Sequence, residues 1–264
     1  MLKNKMNFLF KSRTKNTSLA VLALISFLLF SNQSTAQSEV LDVETFDRIV
    51  VSPHIEVIFT KGEKESVSIE SITVPMTKLN VTVKNNTLNI YLDGAKIVAD
   101  TKKENVNGYE QKVSIYKGTV VRAIITYKEI NFLDLRGEER FVFESYINSK
   151  KLRLNVYGES QVYFNEVDIK NLLVTIYGES YLEIKQGIIE TQKFTAYGES
   201  KVNTMNVDNK ETKLTAYGDG TFQFNVSEKL KITSYGEATI NYSGNANLNK
   251  GIVIGETKIT NVNF

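Results

Sequence analysis

The sequence has no cysteine, one histidine and two prolines in 264 residues. Without cysteine there can be no disulfide, no thiol chemistry and no lipid-modified anchor. The single histidine, His54, follows Pro53 at a predicted turn. Alone it builds neither a metal cluster nor a histidine-based triad, so its role reads as structural or solvent-facing. Pro53 and Pro75 stand in no Ser/Pro-rich linker, and no domain boundary shows. Glycine is never clustered into a phosphate loop, because single residues about every 20 positions cannot cradle a phosphate. Long apolar runs are scarce as well. Leu19 to Phe30 is shorter than the roughly 20 apolar residues a membrane-spanning helix ordinarily uses.

That run fits a secretory leader. Lys3, Lys5, Lys11, Arg13 and Lys15 precede it, and Ser34-Thr35-Ala36 offers small residues at a cleavage site. A signal peptide is expected over residues 1–36; the alternative is an uncleaved signal anchor. Those residues hold five cations and no acid, so removing them takes the net charge from +2 to −3. The apparent basicity therefore points to no nucleic acid. Export without cysteine suits a bacterial periplasmic, surface or extracellular protein with no stable membrane span after cleavage.

What the chain does have is a repeat. Tyr157-Gly158-Glu159-Ser160 recurs at Tyr177 to Ser180 and Tyr197 to Ser200. It continues as Tyr217-Gly218-Asp219-Gly220 and Tyr235-Gly236-Glu237-Ala238. Degenerate copies stand at Arg136-Gly137-Glu138 and Ile254-Gly255-Glu256. Successive glycines from Gly137 to Gly255 lie 21, 20, 20, 20, 18 and 19 residues apart. Such a period marks a solenoid, one coil per repeat. Within a coil, Leu152, Leu154, Val156, Gly158, Ser160, Val162 and Phe164 share one parity. Arg153, Asn155, Tyr157, Glu159, Gln161 and Tyr163 share the other. This is the period of a strand with one buried face. The fold expected is an all-β, single-domain parallel β-helix (β-solenoid) with about seven signature-bearing coils. Regular repeats span 136–264, degenerate N-terminal strands 44–135 and a short segment 37–43. The polar stretch 93–112 reads as a protruding loop or irregular insertion. With Asn261 to Phe264 it is a candidate to shield the solenoid ends.

Further features carry a resemblance. The opening "FDRIVVSPHIEVIFTKGEKESVSIES", the "LNVTVKNNTLNIYL" hairpin and the "AIITYKEINFLDLRGEERF" bridge resemble the putative auto-transporter adhesin, head GIN domain family over about residues 44–264. In that family a small Ser-Gly-Ala-Ser-like signature recurs once per coil, where this chain has Tyr-Gly-Glu-Ser. The resemblance implies a secreted or envelope β-solenoid common in Bacteroidetes-type bacteria, and it implies no reaction.

Stacking would align equal positions about 4.8 Å apart. Tyr157, Tyr177, Tyr197, Tyr217 and Tyr235 would form an aromatic row able to stack on sugars or a partner, or else to support itself. Glu159, Glu179, Glu199, Asp219 and Glu237, followed by Glu256, would form a carboxylate row. Neighbours there repel by about 0.9 kcal/mol under water-like screening. Binding of Ca²⁺ would relieve this; so would fanning into solvent beside lysines such as Lys201 and Lys258. Asn155, Thr175, Thr195, Thr215 and Thr233 would form a third row, explained by β-propensity. The function these features suggest is a non-enzymatic, adhesin-like protein presenting an extended face to a surface glycan or envelope protein. A carbohydrate-active lyase or hydrolase on the same scaffold, or a purely structural envelope protein, stands as the alternative. Oligomeric state is left open.

Overall fold

A computed structural model describes residues 39–106 and 108–262. The leader expected over 1–36 lies outside them. The described residues form an all-β solenoid of about six turns. Each regular coil gives one long strand to one sheet and one short strand to the other. Ile147–Gly158, Val167–Gly178, Gly187–Tyr197 and Val207–Tyr217 stack in parallel, with glycine beside glycine or tyrosine beside tyrosine at each signature. Gln161–Phe164, Tyr181–Ile184 and Lys201–Thr204 stack likewise in the second sheet.

The long strand is bent. In Val167–Gly178 the inward residues are Val167 and Ile169, then Leu172, Val174 and Ile176. The alternation skips at Lys170 and Asn171, both turned outward, where the register between coils also lapses. A coil therefore has three straight runs of inward residues, the third being Ser180, Leu182 and Ile184. One continuous core fills the interior. Phe59, Phe143 and Phe164 stack face to face within it, ring centroids 4.1 and 4.2 Å apart. Farther along, the filling turns polar. The Gln192 amide donates to the Thr204 and Thr212 hydroxyls at 3.2 and 2.9 Å, and the Thr212 hydroxyl donates to Asn209 Oδ1. These pairings offset the cost of burying polar groups.

At the N-terminal end the order is not sequential. Arg48–Val51 and Ile55–Lys61 begin the first coil. The chain then builds the end behind that coil and returns to lay Phe132–Gly137 and Arg140–Phe143 on its other side. The end is antiparallel. Leu79–Lys84 pairs with Thr87–Leu92 through Asn85 and Asn86, both at positive φ, as the hairpin reading expected. Ser66–Ile72 pairs antiparallel with Val121–Tyr127, and Glu39–Asp42 with Ser66–Ile72. The polar stretch 93–112 is more ordered than a loop. It contributes to a separate hairpin, Thr101–Val106 with Tyr109–Ser114, paired to neither main sheet. Asn261 to Phe264 lies partly outside the described residues.

The signature explains itself at the corner. Gly158, Gly178, Gly198 and Gly218 have φ between +105° and +114°, a conformation open to glycine. A Cβ on Gly178 would run into the backbone carbonyl oxygen of Gly158 in the coil before it. That carbonyl accepts the Glu179 N–H at 3.0 Å and the Ser180 hydroxyl at 3.0 Å. Ser160 and Ser200 donate in the same way to Gly137 and Gly178, at 2.8 and 3.1 Å. The serines are buried.

In the first coil Glu139 takes the serine's inward place and is only 5% exposed. The Glu138 N–H donates to its carboxylate at 2.9 Å, and His54 Nδ1 lies 3.9 Å from it. His54 sits at φ +70° in the turn and donates Nδ1–H to the Gly118 carbonyl at 2.8 Å. Its role here is structural. Burial pushes the Glu139 carboxyl above its ordinary 4.5; the backbone hydrogen bonds and His54 draw it partly back. The folded state thus holds this proton more tightly than the unfolded chain does. The stability it contributes is full below the ordinary value and is lost as pH rises through the raised one. Glu139→Gln should flatten that decline in melting temperature above pH 4.5; identical pH profiles of variant and parent would refute this.

Candidate functional site

The long strands place three rows on the outer face of their sheet. The tyrosine row forms as expected. Rings 157, 177, 197, 217 and 235 are parallel within 5°, with centroids 4.8–5.1 Å apart. The Arg136 guanidinium lies 5.5 Å over Tyr157, and Ile254 pairs with Tyr235 at the other end. Burial and the Asp134 carboxylate raise the Tyr157 hydroxyl's pKa. Each inner ring has both faces against its neighbours, so the row offers edges and hydroxyls outward. Stacking of a sugar on a ring face has no open place in the middle of it. The threonine row lies beside it, half-buried.

The acids Glu159, Glu179 and Glu199 are exposed at the corner. Their backbone N–H groups are the part the fold uses, as at Glu159 and Glu179. Among the described residues no three acids or histidines converge on a common point as a metal site requires. Lys201 and Lys258 form no ion pair with the row among the described residues.

Around the corner the side chains meet a second set of aromatics. An open cleft of about 520 Å³ is lined by the row acids Glu159, Glu179 and Glu199 together with Gln161, Tyr163, Tyr181 and Lys201 of the short strands. The chain brings these together because the corner is short: only Glu159 and Ser160 separate Ile147–Gly158 from Gln161–Phe164. Tyr163 and Tyr181 lie 5.7 Å apart and are tilted by 59°. Unlike the parallel row, this pair meets at an angle rather than face to face. Tyr163 donates its hydroxyl to Gln161 Oε1 at 3.1 Å and carries the Arg140 guanidinium 5.0 Å from its centroid. Burial, then the Glu183 carboxylate, raises the Tyr181 hydroxyl's pKa. Both aromatics escape a search for repeats because they stand in different rows. Tyr163 is paired with Val142 and Glu183, Tyr181 with Gln161 and Lys201. The readable signal is an outward tyrosine beside a polar outward residue, Gln161 in one strand and Glu183 in the other.

This arrangement can hold a hydroxyl-rich molecule. Carboxylates and an amide oxygen accept from hydroxyls, Lys201 donates, and the tilted rings supply apolar surface. The acids occupy equivalent places in successive coils and form one bank, rather than opposing one another as an acid–base pair does.

Comparison with known proteins agrees with this architecture. No curated protein matches the chain by sequence. A structure of a putative adhesin from Bacteroides fragilis shares 18% identity at a TM-score of 0.71, covering 86% of this chain and 96% of that one. A putative lipid-binding protein from Parabacteroides distasonis shares 17% at 0.61, covering 87% and 98%. A putative adhesin from Parabacteroides merdae shares 16% at 0.60, covering 88% and 98%. At these identities the likeness is one of fold. The family model for the putative auto-transporter adhesin, head GIN domain matches residues 45–246, and the chain belongs to that family.

Proposed function

We propose that the protein is an exported, non-enzymatic binding protein that holds a surface glycan in the corner cleft. The observation that carries this is the cleft itself, in which three carboxylates, a tilted tyrosine pair, Gln161 and Lys201 line about 520 Å³. A binding role accords with the adhesin description of the family. Sugar recognition needs apolar ring surface together with fixed acceptors and donors, and both line this cleft.

The test is a glycan array on the purified protein, with and without Ca²⁺. Selective retention of a glycan class, weakened at least about 10-fold by Tyr163→Ala with Tyr181→Ala, is the expected result. A response that requires Ca²⁺ would bring the ion into the acidic bank. Silence across the array would reject the glycan reading in favour of a protein partner. Cleavage of a retained glycan would replace it with a lyase or hydrolase.

A further inference from the structure

The bend in the long strands makes a second groove, away from the corner. About 260 Å³ of open space follows it, and Lys193, Lys213, Lys229 and Lys231 line it. Register places Lys193, Lys213 and Lys231 in one row across three consecutive coils. Arg153 and Leu173 stand at the same position in the two coils before. The adjoining row runs Asn171, Thr191, Glu211 and Lys229. Four ammoniums thus meet one carboxylate in the groove. Among the described residues none of the four is ion-paired.

Folding does not ask for this row. Like charges at strand spacing repel. These lysines stand on strands paired on both sides, so they guard no sheet edge. They are also concentrated on a chain whose net charge beyond residue 36 is −3. We propose that the groove is an anion site for an acidic polysaccharide, a linear chain bearing carboxylates or sulfates, laid along the solenoid axis. An ammonium recurs once per coil, about every 4.8 Å, where an extended polymer would present its acids. Lysine is a point charge without the fork geometry of arginine, so it accepts carboxylate or sulfate without a fixed orientation. Thr191 and Asn171 supply neutral hydrogen-bonding groups toward the other end of the groove.

The test uses polygalacturonate as the probe, with neutral dextran and phosphatidylglycerol vesicles beside it. Polygalacturonate should bind at about 50 mM salt and weaken more than about 10-fold by about 300 mM, as counterion release and screening require. Lys193→Gln with Lys213→Gln and Lys231→Gln should weaken it by a further factor of about 10 or more. Removing three charges elsewhere, by Lys64→Gln, Lys78→Gln and Lys103→Gln, should leave binding within about twofold. Lys213→Gln alone should give an intermediate loss, and melting curves confirm that each variant folds. Absence of polygalacturonate binding at low salt would overturn the proposal. So would equal losses in the two triple variants, which would mean net charge alone. Lysine-dependent binding to vesicles without binding to the polymer would assign the groove to a lipid surface instead. This groove and the corner cleft share no side chain, so the two proposals fail separately.

Discussion

Gly178→Ala should destabilise the protein by about 3–5 kcal/mol, the sum of backbone strain, a steric clash and disturbed hydrogen bonds. At about 2–4 °C per kcal/mol for a chain of this size, the melting temperature should fall by about 6–20 °C. Three effects coincide at that position. The residue has φ +114°, which an L side chain rarely adopts. Its added Cβ would meet the Gly158 carbonyl oxygen, a backbone atom that cannot swing aside. That same oxygen accepts the Glu179 N–H and the Ser180 hydroxyl, so displacing it disturbs both. Coils of a solenoid are held by their neighbours alone, which makes damage at one interface hard to relieve elsewhere. The control is Gly118→Ala, at φ +56° with open space around it, for about 1–2 kcal/mol. Equal melting temperatures for the two variants would refute the close-packed corner.

Much of this was legible because a repeat states each requirement several times. The glycine spacing set the coil length, and period-two alternation set which side chains face inward. The serine two residues after Gly158, Gly178 and Gly198 is the partner of a carbonyl one coil back, and its parity placed it inside. The bend at Lys170 and Asn171 was written as two successive outward residues, a weaker mark than an alternation sustained over six. The return of the chain from Tyr127 to Phe132 was not legible. The order of coils at that end depends on pairing between segments distant in sequence, and nothing in either strand names its partner. The hairpin at Thr101–Val106 and Tyr109–Ser114 was hidden by its composition, since a separate two-stranded sheet buries little and shows little alternation. Glu139 was hidden for the opposite reason. A carboxylate is ordinarily left to solvent, yet Glu139 occupies the serine's inward place.

The candidate site divides in the same way. The tyrosine row was visible, but its geometry could not be read from spacing. Parallel rings 4.8–5.1 Å apart occupy one another's faces, which makes the row a brace along the solenoid. Tyr177→Ala with Tyr197→Ala breaks three of these pairs. At about 0.5–1.5 kcal/mol for each, the double variant should lose about 2–4 kcal/mol. Its melting temperature should drop by about 5–15 °C. Tyr177→Phe with Tyr197→Phe keeps the rings and should restore most of that loss. A double alanine variant as stable as the parent would show that the row braces nothing. Tyr163 and Tyr181 are tilted and only one pair deep, so the same change there should cost less stability.

These two tyrosine pairs give the most direct test of where the protein binds. A glycan retained on the array is titrated calorimetrically against the parent, the Tyr163→Ala/Tyr181→Ala variant and the Tyr177→Ala/Tyr197→Ala variant. The corner-cleft account predicts that the first variant loses the heat of binding and keeps its fold. The second should bind as the parent does while melting earlier. Binding lost in the row variant and kept in the cleft variant would contradict the account and make the exposed tyrosine edges the site.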